Sequence, residues 1–201
     1  MSANIFLTER ERIILESAVV GIAGAGGLGS NCAAHLVRAG IKHLIIADFD
    51  VVTDSNLNRQ YYFRDQIGRK KVEALRENLE RIEPELNLKM VEVRITPENL
   101  AEIFGGCDVI VEAFDTVEAK QMLIQYTLMW KTPVIGVSGI AGWGHSAEIT
   151  VKKLGANLII IGDADRGVND ARKLFPASPR VGIAAAMEAN TVVAILLGVK
   201  I

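Results

Sequence analysis

Two segments of the chain carry residues that could bind a nucleotide. The first is the glycine-rich stretch GAGGLGS at residues 24–30, and the second is ADFDVVTDSNLNRQ at residues 47–60. Glycine-rich turns that open a helix bring backbone amides close to phosphate, and many nucleotides are bound this way. The second segment adds acids that could hold a ribose, and it leaves a cation and amides for a triphosphate. This combination favours a protein that uses ATP over one that holds a dinucleotide for redox chemistry.

The glycine turn is predicted to contact phosphate through its backbone. Four glycines fall within six positions, which is more than a tight strand-to-helix turn needs, although a turn without a ligand is the alternative. The helix that begins near Leu28 would direct its free amides and the positive end of its dipole at the anion. The predicted contact residues are Gly24, Gly26, Gly27, Leu28 and Gly29.

Two acids follow the second predicted strand. Asp48 lies about 22 residues beyond the glycines, which is the spacing of an acid that hydrogen-bonds ribose hydroxyls. Helix capping or solvation is the alternative role of Asp48. Asp50 could orient the loop, help to hold a metal ion, or be purely structural, and these roles stay open.

Two basic residues are predicted to bind phosphate. The planar guanidinium of Arg59, on a loop that faces the same crevice, suits bidentate contact with a phosphate group. Lys71 ends the motif GRKK at residues 68–71, near the start of a predicted helix, and could neutralise a β- or γ-phosphate as a point charge. The neighbouring Arg69 and Lys70 would then be solvated surface charges.

A third acid, Asp115, is the candidate ligand for magnesium. It lies in EAFDT at residues 112–116, at the carboxyl end of a buried strand. Magnesium bound to substrate phosphates usually takes only one or two carboxylates from the protein. The alternative role for Asp115 is to cap the helix that begins at Thr116.

The elements that must position these residues alternate between strand and helix through residue 138. Such alternation predicts a doubly wound, mostly parallel, Rossmann-like α/β sheet, in which ligands bind beyond the carboxyl ends of the strands. The predicted strands are 19–23, 43–47, 88–93, 109–111 and 133–137, and the predicted helices are one starting near 9, then 28–39, 69–82 and 97–104, and one ending near 130. A hairpin at 147–153 and 157–161 would add an antiparallel extension. We expect a single domain over residues 1–201.

The C-terminal part of the chain gives two further expectations. Residues 162–180 contain glycine and proline breaks and mixed charge, which favours an ordinary surface loop; a mobile flap over the tail of a carrier protein is the alternative. Residues 181–199 form a long apolar stretch that Glu188 and Asn190 interrupt. We therefore predict a buried helix there, and no membrane contact.

Composition argues against several classes of function. The net charge is −2 and 5% of the residues are aromatic, so no nucleic acid partner is expected. No CxxC motif occurs, which argues against a four-cysteine zinc site. The histidines His35, His43 and His145 lack the spacing of metal ligands or of a base. The short, charged N-terminus lacks the pattern of a signal peptide, so we expect a cytoplasmic protein.

Taken together, the motifs resemble those of the ubiquitin-activating-enzyme-like adenylyltransferases, the ThiF and MoeB group. The resemblance covers roughly residues 15–150, where GAGGLGS, DFDVVTDSNLNRQ, GRKK, EAFDT and GVSGIAGWG follow in order. SNLNRQ is the most specific of these pieces. The short length and the tail PRVGIAAAMEANTVVAILLG resemble the compact ThiF-type branch that is linked to thiamine biosynthesis.

The resemblance implies an adenylyltransferase that binds ATP with magnesium. Such proteins transfer AMP to the C-terminal glycine carboxylate of a small ubiquitin-like (β-grasp) sulfur carrier that ends in Gly-Gly, such as ThiS, and they release pyrophosphate. They are usually homodimers. Arg10 or Arg12 could then reach the ATP of the other subunit, and a plain surface-charge role is the alternative.

By matching positions, the resemblance also implies roles for individual residues. Gly26 would lie against the nucleotide, and Asp48 would hold the ribose. Arg59 and Lys71 would bind phosphates, and Asp115 would work with magnesium near the reacting phosphate. The residues that would shape the loop between them are Asn56 and Gln60.

The chain departs from the family pattern in its cysteines. The zinc cysteines of many members are missing, so no zinc is expected. Some members use a further cysteine to bond covalently to the carrier, but residues 139–180 contain none. Cys32 falls within a predicted helix behind the phosphate loop, and Cys107 falls at the wrong end of the sheet. Activation is therefore expected to stop at the acyl-adenylate, with sulfur supplied by another protein.

Three other functions stay open. An NAD-dependent dehydrogenase would use the glycines and Asp48, but it would leave Arg59 and Lys71 without an obvious role. The same fold could adenylate a modified tRNA base, as in the threonylcarbamoyl-adenosine dehydratases, although the lack of a basic surface argues against tRNA. A non-catalytic partner of an activating enzyme would typically have lost the arginine, lysine or aspartate that this chain keeps.

Overall fold

Seven strands form one mixed sheet within the part of the chain that the structure describes. The structure is a computed structural model, and it describes residues 7–163 and 175–201. The strands are β1 (Val19–Ala23), β2 (His43–Ala47), β3 (Asn87–Val91), β4 (Val109–Glu112), β5 (Val134–Ser138), β6 (Thr150–Leu154) and β7 (Leu158–Gly162). Their order is β3-β2-β1-β4-β5-β7-β6, and every neighbouring pair is parallel except β6 with β7. The predicted doubly wound, mostly parallel sheet is confirmed.

The described residues also contain six α-helices, which cover both faces of the sheet. They are α1 (Glu9–Ser17), α2 (Gly27–Ala39), α3 (Lys71–Glu80), α4 (Pro97–Phe104), α5 (Val117–Thr127) and α6 (Ser178–Leu196). Buried residues of α1, α2, α3 and α6 belong to one apolar core, and those of α4 and α5 belong to a second core on the opposite face. Because helices connect the parallel strands, the carboxyl ends of β1, β2, β4 and β5 meet at one edge of the sheet.

Local sequence signals set several helix ends. Glu11 N–H donates to Thr8 Oγ1 over 3.3 Å, and Thr8 N–H donates to the Glu11 carboxylate over 2.8 Å, which forms the predicted capping box of α1. Gly40 ends α2 in the left-handed conformation, with φ at 107°. Thr96 and Pro97 begin α4 as the sequence predicts.

The C-terminal hairpin departs from the prediction in one respect. β6 and β7 are antiparallel around a turn that contains Gly155, but β7 itself pairs in parallel with β5. The antiparallel extension is therefore β6 alone, at the edge of the sheet. Burial explains this order, because Ile159 and Ile161 of β7 fill an inner position while Lys152 and Lys153 of β6 are exposed at the edge.

Helix α6 corresponds to the predicted C-terminal helix, and one of its faces is buried. It packs against α2 and β5 through Val181, Ala184, Ala185, Ala189 and Val192. Among the helices in the described residues, it is the one long and apolar enough to cross a membrane, a composition that core helices share. Residues 164–174, which make up most of the segment left open by the sequence, lie outside the described residues.

One carboxyl group on α6 is buried without a hydrogen-bond partner. Glu188 is fully buried, and neither of its side-chain oxygens is hydrogen-bonded within residues 7–163 and 175–201. Burial raises the pKa of Glu188 well above its usual range; the nearby carboxyl of Glu112 adds to this effect and the Lys120 ammonium opposes it. The folded protein therefore holds a proton on Glu188 at a pH where the unfolded chain releases it.

We expect Glu188→Gln to weaken the dependence of stability on pH. In the unfolded chain this carboxyl ionises near pH 4.5, whereas the folded state keeps the proton, so the wild-type protein loses stability as the pH rises above that value. An amide has no such linkage. Urea unfolding between about pH 4 and pH 8 should show the variant gaining stability relative to the wild type as the pH rises. The exposed Glu102→Gln is the control, and parallel pH profiles for Glu188→Gln and the wild type would contradict the assignment.

Candidate functional site

The glycine turn leaves the start of α2 open. Gly26 is the N-cap residue of α2, and no side chain caps the helix. The N–H groups of the first helical turn have no partner within a helix, so those of Gly27, Leu28 and Gly29 point out of its end. An uncapped helix start of this kind is an anion-binding feature.

The positions of the turn differ in why they are occupied by glycine. A Cβ at Gly29 would lie 1.9 Å from the carbonyl oxygen of Gly24, and a Cβ at Gly24 would lie 2.8 Å from the carbonyl oxygen of Ala113. Gly24 also has φ at 106°. These two positions therefore require glycine for the backbone to close the turn. At Gly26 the nearest atom is 4.0 Å from such a Cβ, the side-chain nitrogen of Gln60, so the space there forms an open cradle.

Asp48 ties the glycine turn to the loop after β2. One oxygen of its buried carboxylate accepts a hydrogen bond from Ala25 N–H over 2.7 Å, and the other accepts one from Asp50 N–H over 2.7 Å. Each carboxylate oxygen can accept more than one hydrogen bond, so the carboxylate can also hold a ribose hydroxyl. Asp48 therefore has a positioning role in addition to the predicted ribose contact, and it caps no helix.

Lys71 reaches this loop through Asp50. Its ammonium lies 2.7 Å from the Asp50 carboxylate, and its side chain is only 7% exposed, whereas that of Asp50 is 47% exposed. Arg69 and Lys70 instead pair with Glu77 and Glu92 at the surface. Lys71 is thus buried and faces the loop after β2, whereas Arg69 and Lys70 are surface charges, as the sequence predicts. The predicted orienting role of Asp50 corresponds to this ion pair.

The loop that contains Asn56 and Gln60 is fastened to the first turn of α2. The Asn56 side-chain oxygen accepts a hydrogen bond from Thr53 N–H, and its carbonyl accepts from the N–H groups of Arg59 and Gln60. Asn31 of α2 donates to the carbonyl oxygens of Gly27 and Arg59. Asn56 therefore shapes the loop, and the loop is placed against the glycine turn.

Arg59 is a cation held by neutral groups. It donates to the Asn58 side chain over 2.8 Å and to the Ser55 carbonyl over 3.3 Å. In the described part of the chain no carboxylate pairs with it. Its aliphatic stem lies 3.4 Å from the position of a Cβ at Gly27. The guanidinium is thus free to pair with an anion next to the glycine turn.

The side-chain amide of Gln60 also lies beside the glycine turn. The residue is buried, and its side-chain oxygen has no hydrogen-bond partner within the described residues. Its side-chain nitrogen is the nearest atom to the open position beside Gly26. The Gln60 amide therefore borders the cradle with its nitrogen, and its oxygen is a buried acceptor of a kind that is nearly always hydrogen-bonded in proteins.

Asp115 lies at the carboxyl edge, beyond β4. Its side chain is exposed and makes no hydrogen bond or ion pair with the described residues. The alternative capping role is wrong, because Thr116 caps α5 through its hydroxyl, which accepts from Ala119 N–H over 3.3 Å. No group of three or more His, Cys, Asp or Glu side chains that could hold a metal ion occurs in the described ranges.

Sequence reasoning missed several residues that hold the site together. Ser30 donates to the Gly26 carbonyl over 2.6 Å and accepts from Tyr61 N–H, and the buried Tyr62 hydroxyl donates to the Ala25 carbonyl over 2.8 Å. Below Asp115, the Lys120 ammonium lies 3.0 Å from the buried Glu112 carboxylate. The sequence signal for this pair is Glu112 itself, because an acid at the end of an apolar strand is seldom buried without a basic partner.

The site residues meet where three neighbouring strands end. The glycine turn follows β1, Asp48 and Asp50 follow β2, and Asp115 follows β4, on either side of β1. This arrangement defines a doubly wound α/β domain with an uncapped helix start at the carboxyl edge of its sheet, which is where such folds bind ligands. The chain belongs to the ThiF family, whose model matches residues 3–201.

Comparison with curated proteins finds relatives of several kinds. The chain is 32% identical over 148 residues to the tRNA threonylcarbamoyladenosine dehydratase of Escherichia coli, covering 73% of this chain and 55% of that protein. It is 34% identical over 130 residues to the molybdopterin-synthase adenylyltransferase of Haemophilus influenzae, covering 64% and 54%. It is 28% identical over 189 residues to the sulfur carrier protein ThiS adenylyltransferase of E. coli, covering 93% and 75%. The chain thus spans about half the length of the first two relatives.

Solved structures share the fold. The E. coli tRNA N6-threonylcarbamoyladenosine dehydratase in complex with AMP aligns with a TM-score of 0.85 at 22% identity, covering 94% of this chain and 90% of that chain. The E. coli MccB structure with ATP aligns with a TM-score of 0.72 at 21% identity, covering 92% and 58%.

We expect Gly29→Ala to destabilise the protein and to weaken nucleotide binding. The added methyl group would collide with the Gly24 carbonyl, so the turn must open, at a cost of about 2–3 kcal/mol. Gly106→Ala is the matched control, because a Cβ there meets nothing within 4 Å. Urea unfolding and titration with a fluorescent ATP analogue measure both effects. Wild-type stability in Gly29→Ala would show that the turn does not need this close approach.

Proposed function

We propose that this protein is an ATP-dependent adenylyltransferase acting on the C-terminal glycine carboxylate of a small ubiquitin-like, ThiS-like sulfur carrier. The observation that carries the proposal is the uncapped start of α2, with the Arg59 side chain beside it and Lys71 paired with Asp50 in the loop after β2. Membership of the ThiF family and the resemblance to a ThiS adenylyltransferase and a molybdopterin-synthase adenylyltransferase support it. The proposed setting is thiamine or sulfur-cofactor biosynthesis in the cytoplasm.

The reaction joins two anions, so charge neutralisation and positioning can supply most of the catalysis. A carboxylate oxygen of the acceptor attacks the α-phosphorus of ATP, the bond from that phosphorus to the bridging oxygen breaks, and pyrophosphate leaves. The amides of Gly27–Gly29, with Arg59 and Lys71, would stabilise the charge on the phosphates. Asp48 would hold the ribose. No nucleophile from the protein is required for this step.

Magnesium fits the crevice at Asp115. Its carboxylate is exposed and unpaired among the described residues, and one or two carboxylates suffice when substrate phosphates and water complete the octahedron. Bound there, the ion would neutralise phosphate charge near the reacting centre. Asp50, which is half exposed, already pairs with Lys71 and is placed to orient that cation.

We further propose that activation stops at the acyl-adenylate. Both cysteines of the chain are buried, and burial raises the pKa of Cys107 to about 12 and that of Cys32 well above its usual range. Neither thiol is therefore suited to attack the adenylate at neutral pH. Sulfur would come from another protein.

A homodimer is also part of the proposal, and Arg10 is its better candidate for reaching a second subunit. Arg12 pairs with Glu16 of the same helix over 2.8 Å. Arg10 is exposed and has no ion pair within the described residues.

A second candidate function is adenylation of a modified tRNA base. The similarity to the E. coli tRNA threonylcarbamoyladenosine dehydratase, in sequence and in fold, favours it. The net charge of −2 speaks against a polyanionic partner. The dehydrogenase hypothesis gains no support from the relatives named above.

Pyrophosphate–ATP exchange separates these functions. We expect exchange that requires both magnesium and a Gly-Gly-ending carrier, because the carboxylate must attack before pyrophosphate can leave or return. Carrier with its C-terminal glycine removed is the control. Exchange driven by threonylcarbamoyl-modified tRNA in place of the carrier would favour the second candidate, and NAD binding without any exchange would contradict both.

We expect Arg59→Ala and Asp115→Ala to lower carrier-dependent exchange by about 100-fold or more while the fold survives, because both side chains lie outside the core and are proposed to act on the phosphates. Arg64→Ala and Glu118→Ala change exposed residues of the same charge nearby and should exchange at the wild-type rate. Circular dichroism and thermal unfolding check the fold. Near wild-type exchange in either site variant would remove that residue from the site.

A further inference from the structure

Arg180 is a buried cation that the proposed chemistry does not use. It lies in the first turn of α6 and is 1% exposed. One terminal nitrogen donates to the Gly144 carbonyl over 2.7 Å and to the His145 carbonyl over 3.3 Å. The other donates to the Gly139 carbonyl over 3.2 Å and to the Asp163 carboxylate over 3.3 Å. One guanidinium therefore binds both ends of the segment 139–145, which we call the β5 loop.

The β5 loop has little regular structure of its own. Gly139, Gly142, Gly144 and His145 all have positive φ, between 52° and 80°. Its other described attachments include a hydrogen bond from Gly142 N–H to the Phe175 carbonyl and short bridges to Pro176. Ile140 packs against the main core, and the His145 carbonyl accepts a hydrogen bond from Glu148 N–H. A segment so rich in glycine has many conformations available, so a fixed point at each end is needed to select one.

The β5 loop is connected to the glycine turn through the next residue of α6. A side-chain methyl of Val181 lies 3.1 Å from the position of a Cβ at Gly27. Arg180 thus joins the loop to the helix start that lies against the nucleotide crevice. Moving the loop would require the first turn of α6, or the hydrogen bonds to Arg180, to give way.

The order of the strands places the β5 loop on one side of the crevice. The carboxyl edge carries, in sequence across the sheet, Asp48 after β2, the glycine turn after β1, Asp115 after β4 and the β5 loop after β5. If the ribose lies at Asp48 and the phosphates at the glycine turn, the second reactant must approach from the side of β4 and β5. Trp143, which is 67% exposed, stands on the loop at that side.

Stability alone does not account for Arg180. Its ion pair with Asp163 is buried, and its Nε–H has no partner among the described residues. Buried ion pairs often contribute no more to stability than apolar side chains of similar size. The Arg180 guanidinium instead donates to three carbonyls of the β5 loop and to one carboxylate after β7, which holds these segments in a fixed relative position.

We infer that Arg180 is a positioning residue for the acceptor: it holds the β5 loop in one conformation beside the glycine turn, so that the wall of the crevice met by the acceptor is preformed. This inference rests on the proposed function. It assigns Arg180 no contact with ATP or with the reacting atoms.

The test uses the full chain with Trp130→Phe, which leaves Trp143 as the single tryptophan. In this background, Arg180→Met should make the Trp143 fluorescence anisotropy fall and its quenching by acrylamide rise about twofold, because the loop is released. The KM for the carrier should rise about tenfold or more, and the KM for ATP should stay within about twofold of the wild type. Arg180→Lys keeps the charge but cannot span both ends of the loop, so it should restore the fold without restoring the carrier KM. Arg64→Met, at an exposed arginine, is the control.

The outcomes are distinct. Unchanged Trp143 signals in both Arg180 variants, or equal increases in the two KM values, would overturn the inference. If Arg180→Met fails to fold, Arg180→Lys decides the matter by the same two readouts. If the wild-type protein turns over no carrier at all, the proposed function fails and the acceptor role with it, while the fluorescence still reports whether Arg180 fixes the loop.

Discussion

The carboxylate of Asp48 is the interaction on which the rest of the site depends. It accepts hydrogen bonds from Ala25 N–H in the glycine turn and from Asp50 N–H in the next loop, each over 2.7 Å. Asp50 in turn pairs with Lys71. One buried anion therefore fixes the turn, and through Asp50 it sets the position of a cation. Removing it would leave the buried Ala25 N–H and the Asp50 N–H without this partner, so the glycine turn and the Asp50–Lys71 pair would lose the group that connects them.

The two basic residues are held in ways that suit the arrival of an anion. Lys71 is buried but paired with the half-exposed Asp50, so its charge is compensated before any ligand binds. Arg59 is kept in place by neutral acceptors alone among the described residues. Both partners of the proposed reaction are negatively charged. A site whose cations are already hydrogen-bonded or ion-paired in the folded protein can bind these partners one after the other.

Much of the fold can be predicted from patterns among neighbouring residues, whereas the rest depends on contacts between residues far apart in the chain. The limits of β1 and β2, the capping box at Thr8 and the end of α2 at Gly40 can all be read from neighbouring residues. The parallel pairing of β7 with β5 cannot, because strand order depends on which strand buries more apolar surface. Likewise, the glycines and Asp48 lie in recognisable spacing, whereas the hydrogen bonds of Arg180 join residues 17 to 41 positions apart and leave no local pattern.

The comparisons also suggest which side of the crevice selects the acceptor. The chain is similar both to a relative named for a sulfur carrier and to a relative named for a tRNA. Residues shared by proteins with such different acceptors cannot distinguish between those acceptors. We propose that the discrimination lies on the other side, after β4 and β5, where this chain has a glycine-rich loop, an exposed Trp143 and a buried Arg180 that donates hydrogen bonds to both ends of that loop. On this proposal, the choice of acceptor depends on contacts between residues far apart in the chain, and such contacts leave no local pattern in the sequence.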